Sequence, residues 1–151
     1  MPADVSIRAP TDEERESADL LRLLGSASGR TGTALGMLVV EVSGAPAVVA
    51  LDDGRIVGLA SYAAVGRDSV LRYLAVDGTY RANGIGRRLV YAVRDRAPRA
   101  ALIAETDDDA VAFYRRCGFM ATPLPRDPRW PGVQRFRCVL AVEAGRATPS
   151  S

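Results

Sequence analysis

The segment APAVVALDDGRIVGLASYAAV, residues 45–65, constrains the fold more than any other stretch. Two apolar runs flank Asp53-Gly54. That dipeptide between such runs is the strongest short-range hairpin signal, because a type I′ turn needs φ above zero at both central residues. A further turn at Arg67-Asp68 leads into SVLRYLAV, Ser69 to Val76, the next strand. The chain is therefore expected to fold around a largely antiparallel sheet.

The flanking sequence supplies the other elements. VSIRAP (Val5 to Pro10) alternates and predicts a short strand. Thr11 opens TDEERESADLLRLLG, with Glu14 three residues on as a capping box and three acids in the first turn. Leu20, Leu21, Leu23 and Leu24 form the apolar side of this helix, and Gly25 ends it. Gly25 to Gly36 is small, polar and glycine-rich, and is expected to be a loop. Met37 to Val42 fits a strand or a helix. After DGTYRANGIG, the run RRLVYAVRDRA places Leu89, Val93 and Ala97 on one helix face, with Pro98 as a stop. Ala100 to Thr106 predicts a buried strand. DDDAVAFYRRCG predicts a short helix capped by Asp107 or Asp108 and closed by Gly118. FMATPL is a strand, PRDPRWPGVQ a loop, and Arg135 to Val142 the last strand. The order is an α+β (mixed α/β) fold with a mostly antiparallel central sheet flanked by helices and one strand–helix–strand crossover at 69–106.

At 151 residues the chain predicts a single domain, 1–145, with a flexible tail at 146–151. Its net charge of +2 is too small to make nucleic acid the main partner. Histidine is absent, which removes the commonest general base, the commonest zinc ligand and any Ser-His-Asp or Cys-His arrangement, and no metal is expected. Cys117 and Cys138 read as reduced thiols. No apolar run approaches the ~20 residues that span a bilayer, and no signal-peptide core is visible, so membranes are not expected as partners and the cytoplasm is the default.

The chemistry centres on RANGIGRRL, Arg81 to Leu89. Gly84 and Gly86 sit where a strand turns into a helix. Glycine permits a tight turn, and the first helix amides have no intrahelical partner, so an anion fits there. A Rossmann fingerprint needs a third small residue where Leu89 stands, and a P-loop needs G-K-[ST] where Gly86 is followed by Arg87. Taken alone, the stretch serves equally as a phosphate cradle or as a plain turn with solvated arginines.

Together with a second stretch it is more specific. LAVDGTYRANGIGRRLV resembles the acetyl-coenzyme A motif R/Q-x-x-G-x-G/A of the GNAT acetyltransferases, and DDDAVAFYRRCGF resembles that family's second signature, A-x-x-F-Y-x-x-x-G-F. The resemblance covers residues 69–120 in the family's element order. The first 68 residues match in pattern only, as expected of the half that shapes the acceptor site.

This resemblance implies an acetyl-CoA-dependent N-acetyltransferase. The amides of Arg81, Ala82, Asn83, Gly84, Ile85 and Gly86 would hold the pyrophosphate, helped by Arg87. The backbone at Leu74, Ala75 and Val76 would pair with the pantetheine arm, beside a splay from the strand 100–106. Asp107, Ala110 and Phe113 would contact the cofactor, although Asp107 stands where the family often has asparagine and could cap its helix instead. Phe113 also reads as core. Tyr114 would protonate the departing thiolate. The resemblance further implies an amine acceptor and a chain that can form a homodimer.

A phenol with pKa ~10 keeps its proton at neutral pH, which suits that donor role; the plainer reading of Tyr114 is helix packing. No carboxylate lies on SVLRYLAV, where some family members carry a glutamate base. Glu105, Asp107 and Asp108 are the nearby acids. Glu105 could act as base directly or through water, or pair with an arginine; a water chain to bulk serves equally. Cys117 reads as a small residue at a helix end. Trp130 could cover the acceptor or pack on the sheet edge. Arg126, Arg129, Arg135 and Arg137 could favour an anionic acceptor or form a solvated face. Two rival functions are a non-catalytic acyl-CoA-binding sensor of the same fold and a nucleic-acid binder using the arginines around 81–99.

Overall fold

A computed structural model describes residues 4–96 and 100–141. The elements are β1 (Ser6–Arg8), α1 (Asp12–Arg15), α2 (Ala18–Ser28), α3 (Gly32–Ser43), β2 (Ala47–Asp52), β3 (Arg55–Val65), β4 (Asp68–Val76), a 3₁₀ helix (Gly78–Asn83), α4 (Ile85–Arg96), β5 (Ala101–Asp107), α5 (Val111–Arg116), β6 (Met120–Pro123) and β7 (Arg135–Ala141). The strands hydrogen-bond in the order β1-β2-β3-β4-β5-β7-β6. The pairs β1–β2, β2–β3, β5–β7 and β6–β7 are antiparallel, and β4–β5 is parallel through the α4 crossover. This is the expected mixed α/β architecture. Pro98 and the tail 146–151 lie outside the described residues. No helix among the described residues is long and apolar enough to cross a membrane. The chain divides into two compact units, Met1–Ala63 with Leu71–Arg96, and Ala64–Val70 with Ala97–Ser151.

In the first unit, the hairpin turn has Asp53 at φ 53° and Gly54 at φ 79°, the two positive values that type I′ requires. The capping box also forms: the Glu14 amide donates to Thr11 Oγ1 at 3.1 Å, and the Thr11 amide to Glu14 Oε1 at 2.9 Å. Arg8 binds both Glu14 oxygens at 2.8 Å and, with the Thr11 bonds, holds that carboxyl at about 2.

Two helix assignments differ from the sequence reading. The single helix expected from Thr11 is two, because Ser17 accepts the Leu20 amide and starts a fresh helix. The loop expected at Gly25–Gly36 is mostly helix. α2 runs on to Ser28 and ends on Gly29 at φ 70°, and α3 starts at Gly32. Burial of Leu23, Leu24, Leu38 and Val42 outweighs the weak helix propensity of the glycines.

The helices of this unit cover its sheet on both faces. Leu20, Leu24, Leu38 and Val42 pack with Val49, Leu51, Ile56 and Leu59 on one side. α4 packs on the other, where a Cβ on Gly58 would lie 2.9 Å from Leu89 and 3.3 Å from Ile85. Glycine is needed there for the close approach.

In the second unit, the turn before β4 falls at Gly66-Arg67, with Gly66 at φ 60°, one residue earlier than expected. β4 meets β5 at Ser69↔Leu102 and Val70↔Ile103. Strand alternation assigns the two faces of β5, β7 and β6. Leu102, Ala104 and Thr106 share one with Leu140, Cys138 and Phe136; Ile103, Glu105 and Asp107 share the other with Val139, Arg137 and Arg135. α5 covers the first, where the Arg115 guanidinium stacks 5.5 Å from the Phe136 ring. Among the described residues no helix of this unit packs on the second, although Ile103 on it is buried.

Candidate active site

The glycine stretch begins as a 3₁₀ helix rather than the open loop the sequence predicts. Asp77 caps it, accepting the Thr79 amide at 3.0 Å, and the Tyr80 amide donates to Asp77 O at 2.8 Å. Tyr80 also donates its hydroxyl to Asp52. Gly84 ends the 3₁₀ helix at φ 76°, a left-handed conformation costly for any side chain that bears a Cβ. The first intrahelical bond of α4 runs from the Arg88 amide to Gly84 O at 3.1 Å. The amides of Ile85, Gly86 and Arg87 therefore have no intrahelical acceptor.

This shifts the expected donor set. The i→i+3 pattern of a 3₁₀ helix takes up the amides of Arg81, Ala82 and Asn83, so the outward donors are the three that follow Gly84. The side chains of Arg81, Asn83 and Arg87 are exposed, and the space where a Cβ on Gly84 would lie is open. The side chain of Ala82 lies outside the described residues. Arg88 turns away and donates to Val5 O at 2.9 Å, which ties α4 to the start of β1. Three amides without an intrahelical acceptor at a positive helix end, beside two exposed guanidinium groups, can hold a pyrophosphate-sized anion. Upstream, Ala75 is buried in the α2/α3 core, while Leu74 and Val76, on the opposite face of β4, are half-buried.

In the second unit, α5 begins at Val111 behind an Ala110 N-cap that makes no side-chain bond. Neither Asp107 nor Asp108 caps it as expected. Asp107 instead closes the preceding turn, its Oδ1 accepting the Asp109 amide at 3.0 Å and the Ala110 amide at 3.3 Å. Ala110 and Phe113 are half-buried, which leaves Phe113 at the margin of the core.

Tyr114 is buried, with its ring edge-on to Phe113 at 5.1 Å and to Phe119 at 5.3 Å. Burial, followed by the nearby Cys138 and Cys117 thiols, pushes the Tyr114 hydroxyl up to about 12. The phenol stays protonated at any physiological pH.

Glu105 is not beside Tyr114. It lies on the opposite face of the sheet, across from Arg137 in register, with the guanidinium at 3.8 Å and both side chains about half exposed. Trp130 is 62% exposed in a loop stapled by Arg126 to Pro131 O at 2.8 Å and by Gln134 to Leu124 O at 2.8 Å. The residue that the sequence reading missed is Asp77. Its signal was legible, since an aspartate two residues before a threonine at a strand end is a capping pattern.

The profile of the family described as Acetyltransferase (GNAT) domain matches residues 43–121, just over half the chain. The chain is similar to the N-alpha-acetyltransferase RimI of Mycobacterium tuberculosis, 37% identical over an 86-residue alignment that covers 52% of this chain and 54% of that protein. It thus spans about half the length of the curated relative it matches. Among solved structures, a protein assigned to the GNAT family from Desulfovibrio desulfuricans matches with a TM-score of 0.77 at 23% identity, covering 91% of this chain and 99% of that one. The Escherichia coli ribosomal-protein-S18-alanine N-acetyltransferase matches with a TM-score of 0.73 at 17% identity, covering 91% and 94%. At these identities the structural likeness speaks for the fold alone. The glycine turn, the crossover helix and α5 all fall inside the segment matched by the profile, and the chain belongs to the GNAT acetyltransferase family.

Proposed function

We propose that this chain is an acetyl-CoA-dependent N-acetyltransferase that moves the acetyl group to a primary amine by direct attack. The observation that carries the reading is the start of α4. Gly84 in the left-handed region and the Arg88 bond to its carbonyl leave three consecutive amides without an intrahelical acceptor at a helix end, flanked by Arg81 and Arg87. Acetyl-CoA supplies the activated acyl carbon. The amine nitrogen bonds to that carbon, the carbon–sulfur bond breaks, and the sulfur takes a proton.

Tyr114 is the donor in this reading. An ordinary thiol titrates near ~8.5, so passing a proton from a phenol at about 12 would be uphill in water. Burial narrows the mismatch, since it raises thiols as well as phenols, as it does for Cys138 beside Tyr114.

The chain has no histidine and its candidate carboxylate faces away from Tyr114, which favours an acceptor that needs little help to lose its proton. A peptide or protein α-amine has pKa ~7.7–8.0 against ~10.4 for lysine, so at pH 7.5 about a third of it is already neutral, compared with roughly a thousandth of a lysine. We therefore take an α-amine as the acceptor, as the RimI relative's name describes for that protein. The proton that the amine loses passes to bulk solvent rather than to Glu105, which faces away from Tyr114.

The test is thiol release from acetyl-CoA with a panel of α-amine peptides, lysine side-chain amines and polyamines. α-Amine peptides are expected to give the highest kcat/KM, and Tyr114→Phe to lower kcat. Binding of acetyl-CoA without transfer to any amine would instead make the chain an acyl-CoA sensor.

A further inference from the structure

The glycine turn is held in place by residues far from it in sequence. Asp77 Oδ1 accepts the Thr79 amide and, at 2.9 Å, the Thr79 hydroxyl, while Oδ2 receives Arg22 Nη1 at 3.0 Å. The Asp77 amide donates to Val57 O at 2.8 Å. Val57 is the extra residue of a β-bulge, because β2 pairs Ala50 with Gly58 and Leu51 with Ile56. Beside it, Arg22 Nη2 donates to Ile56 O at 2.9 Å, and Asp19 binds both the Ile56 amide, at 2.6 Å, and the Arg22 guanidinium, at 2.8 Å. One charged network thus joins the first turns of α2, the bulge in β3 and the residue that starts the turn.

Asp77 is only 12% exposed, and the bonds from Thr79, then Arg22, hold its carboxyl below the usual range. An unneutralised carboxylate close to a phosphate site would repel the ligand. Arg22 at 3.0 Å and Arg55 at 3.8 Å remove that charge. The arrangement has the geometry of a support for the turn rather than of a ligand contact.

We propose that Asp77, tied through Arg22 to the bulge and to α2, is a positioning residue that fixes the direction of the Ile85, Gly86 and Arg87 amides and thereby sets the affinity for the pyrophosphate of acetyl-CoA. The inference rests on the reading of that turn as a pyrophosphate site.

Two acyl donors test it on the full chain: acetyl-CoA, and S-acetylpantetheine, which lacks the pyrophosphate. Asp77→Ala and Arg22→Ala should each lower kcat/KM for acetyl-CoA about tenfold or more, through KM, the size expected for losing charged hydrogen bonds. S-acetylpantetheine should change less than about twofold, because its uniform binding does not use the turn. Asp77→Asn keeps the acceptor for Thr79 and loses the charge, so it should fall between, and it carries the test if Asp77→Ala does not fold. Equal losses with both donors would make the network a structural support only and overturn the proposal, as would folded variants with unchanged KM for acetyl-CoA. If the wild-type chain used both donors equally well, the pyrophosphate reading itself would fail, and this inference with it.

Discussion

The β2–β3 hairpin and the β5–β7–β6 strands are built from similar alternating sequences but are covered differently. The hairpin carries helices on both faces, and Val48, Val49, Ala50, Val57 and Ala60 lose all their exposure. The second set carries the six-residue α5 on one face, while the other shows Glu105, Arg135, Arg137 and Met120. An antiparallel sheet can leave one face polar only if nothing packs on it. Stability is therefore concentrated in the hairpin region, and the polar and titrating groups are displayed in the other. Tyr114 sits on the thin covered side of the latter, buried deeply enough to keep its proton and supported by few residues.

Substitutions can break or sharpen this contrast. The largest effect is expected at Leu89, fully buried between α4 and Gly58: Leu89→Ala should cost about 3–4 kcal/mol in denaturant unfolding. The next is expected at Tyr114 and depends on pH. Its folded pKa is raised from 10 to about 12, so it lends stability that is complete below pH 10 and is lost as pH rises toward 12. That loss amounts to about 2–3 kcal/mol, and Tyr114→Phe should remove this part of the alkaline limb while leaving neutral stability nearly unchanged. The smallest is expected at Met120, 75% exposed on the open face, where Met120→Ala should stay within about 0.5 kcal/mol. A cost at Met120 approaching that at Leu89 would mean the open face is packed, and the contrast would be lost.

Features fixed by short-range chemistry were legible in the sequence. Asp53-Gly54 announced its turn because few other pairs adopt two positive φ values, and Thr11 with Glu14 announced a cap that both side chains complete. The strand–turn–helix at 69–96 was equally visible. Features decided by distant packing were not. Gly25 to Gly36 has loop composition, and only its leucine and valine contacts with the sheet make it helix. Glu105 looked close to the site because it ends the strand beside the expected splay. Alternation puts Glu105 on one face of β5, but only the β7 register and the seat of α5 show that Tyr114 is on the other. The Asp77–Arg22 bond joins residues 55 apart, and no local pattern announces it.

The measurement that bears most directly on the central claim is a calorimetric titration of acetyl-CoA into the wild-type chain, Gly84→Val and Arg88→Ala. A β-branched residue cannot hold φ near 76°, so the amides that follow would be re-aimed, whereas Arg88 points at Val5. The account predicts tight binding by wild type, near-wild-type binding by Arg88→Ala and none by folded Gly84→Val. Full-strength binding by Gly84→Val would contradict it.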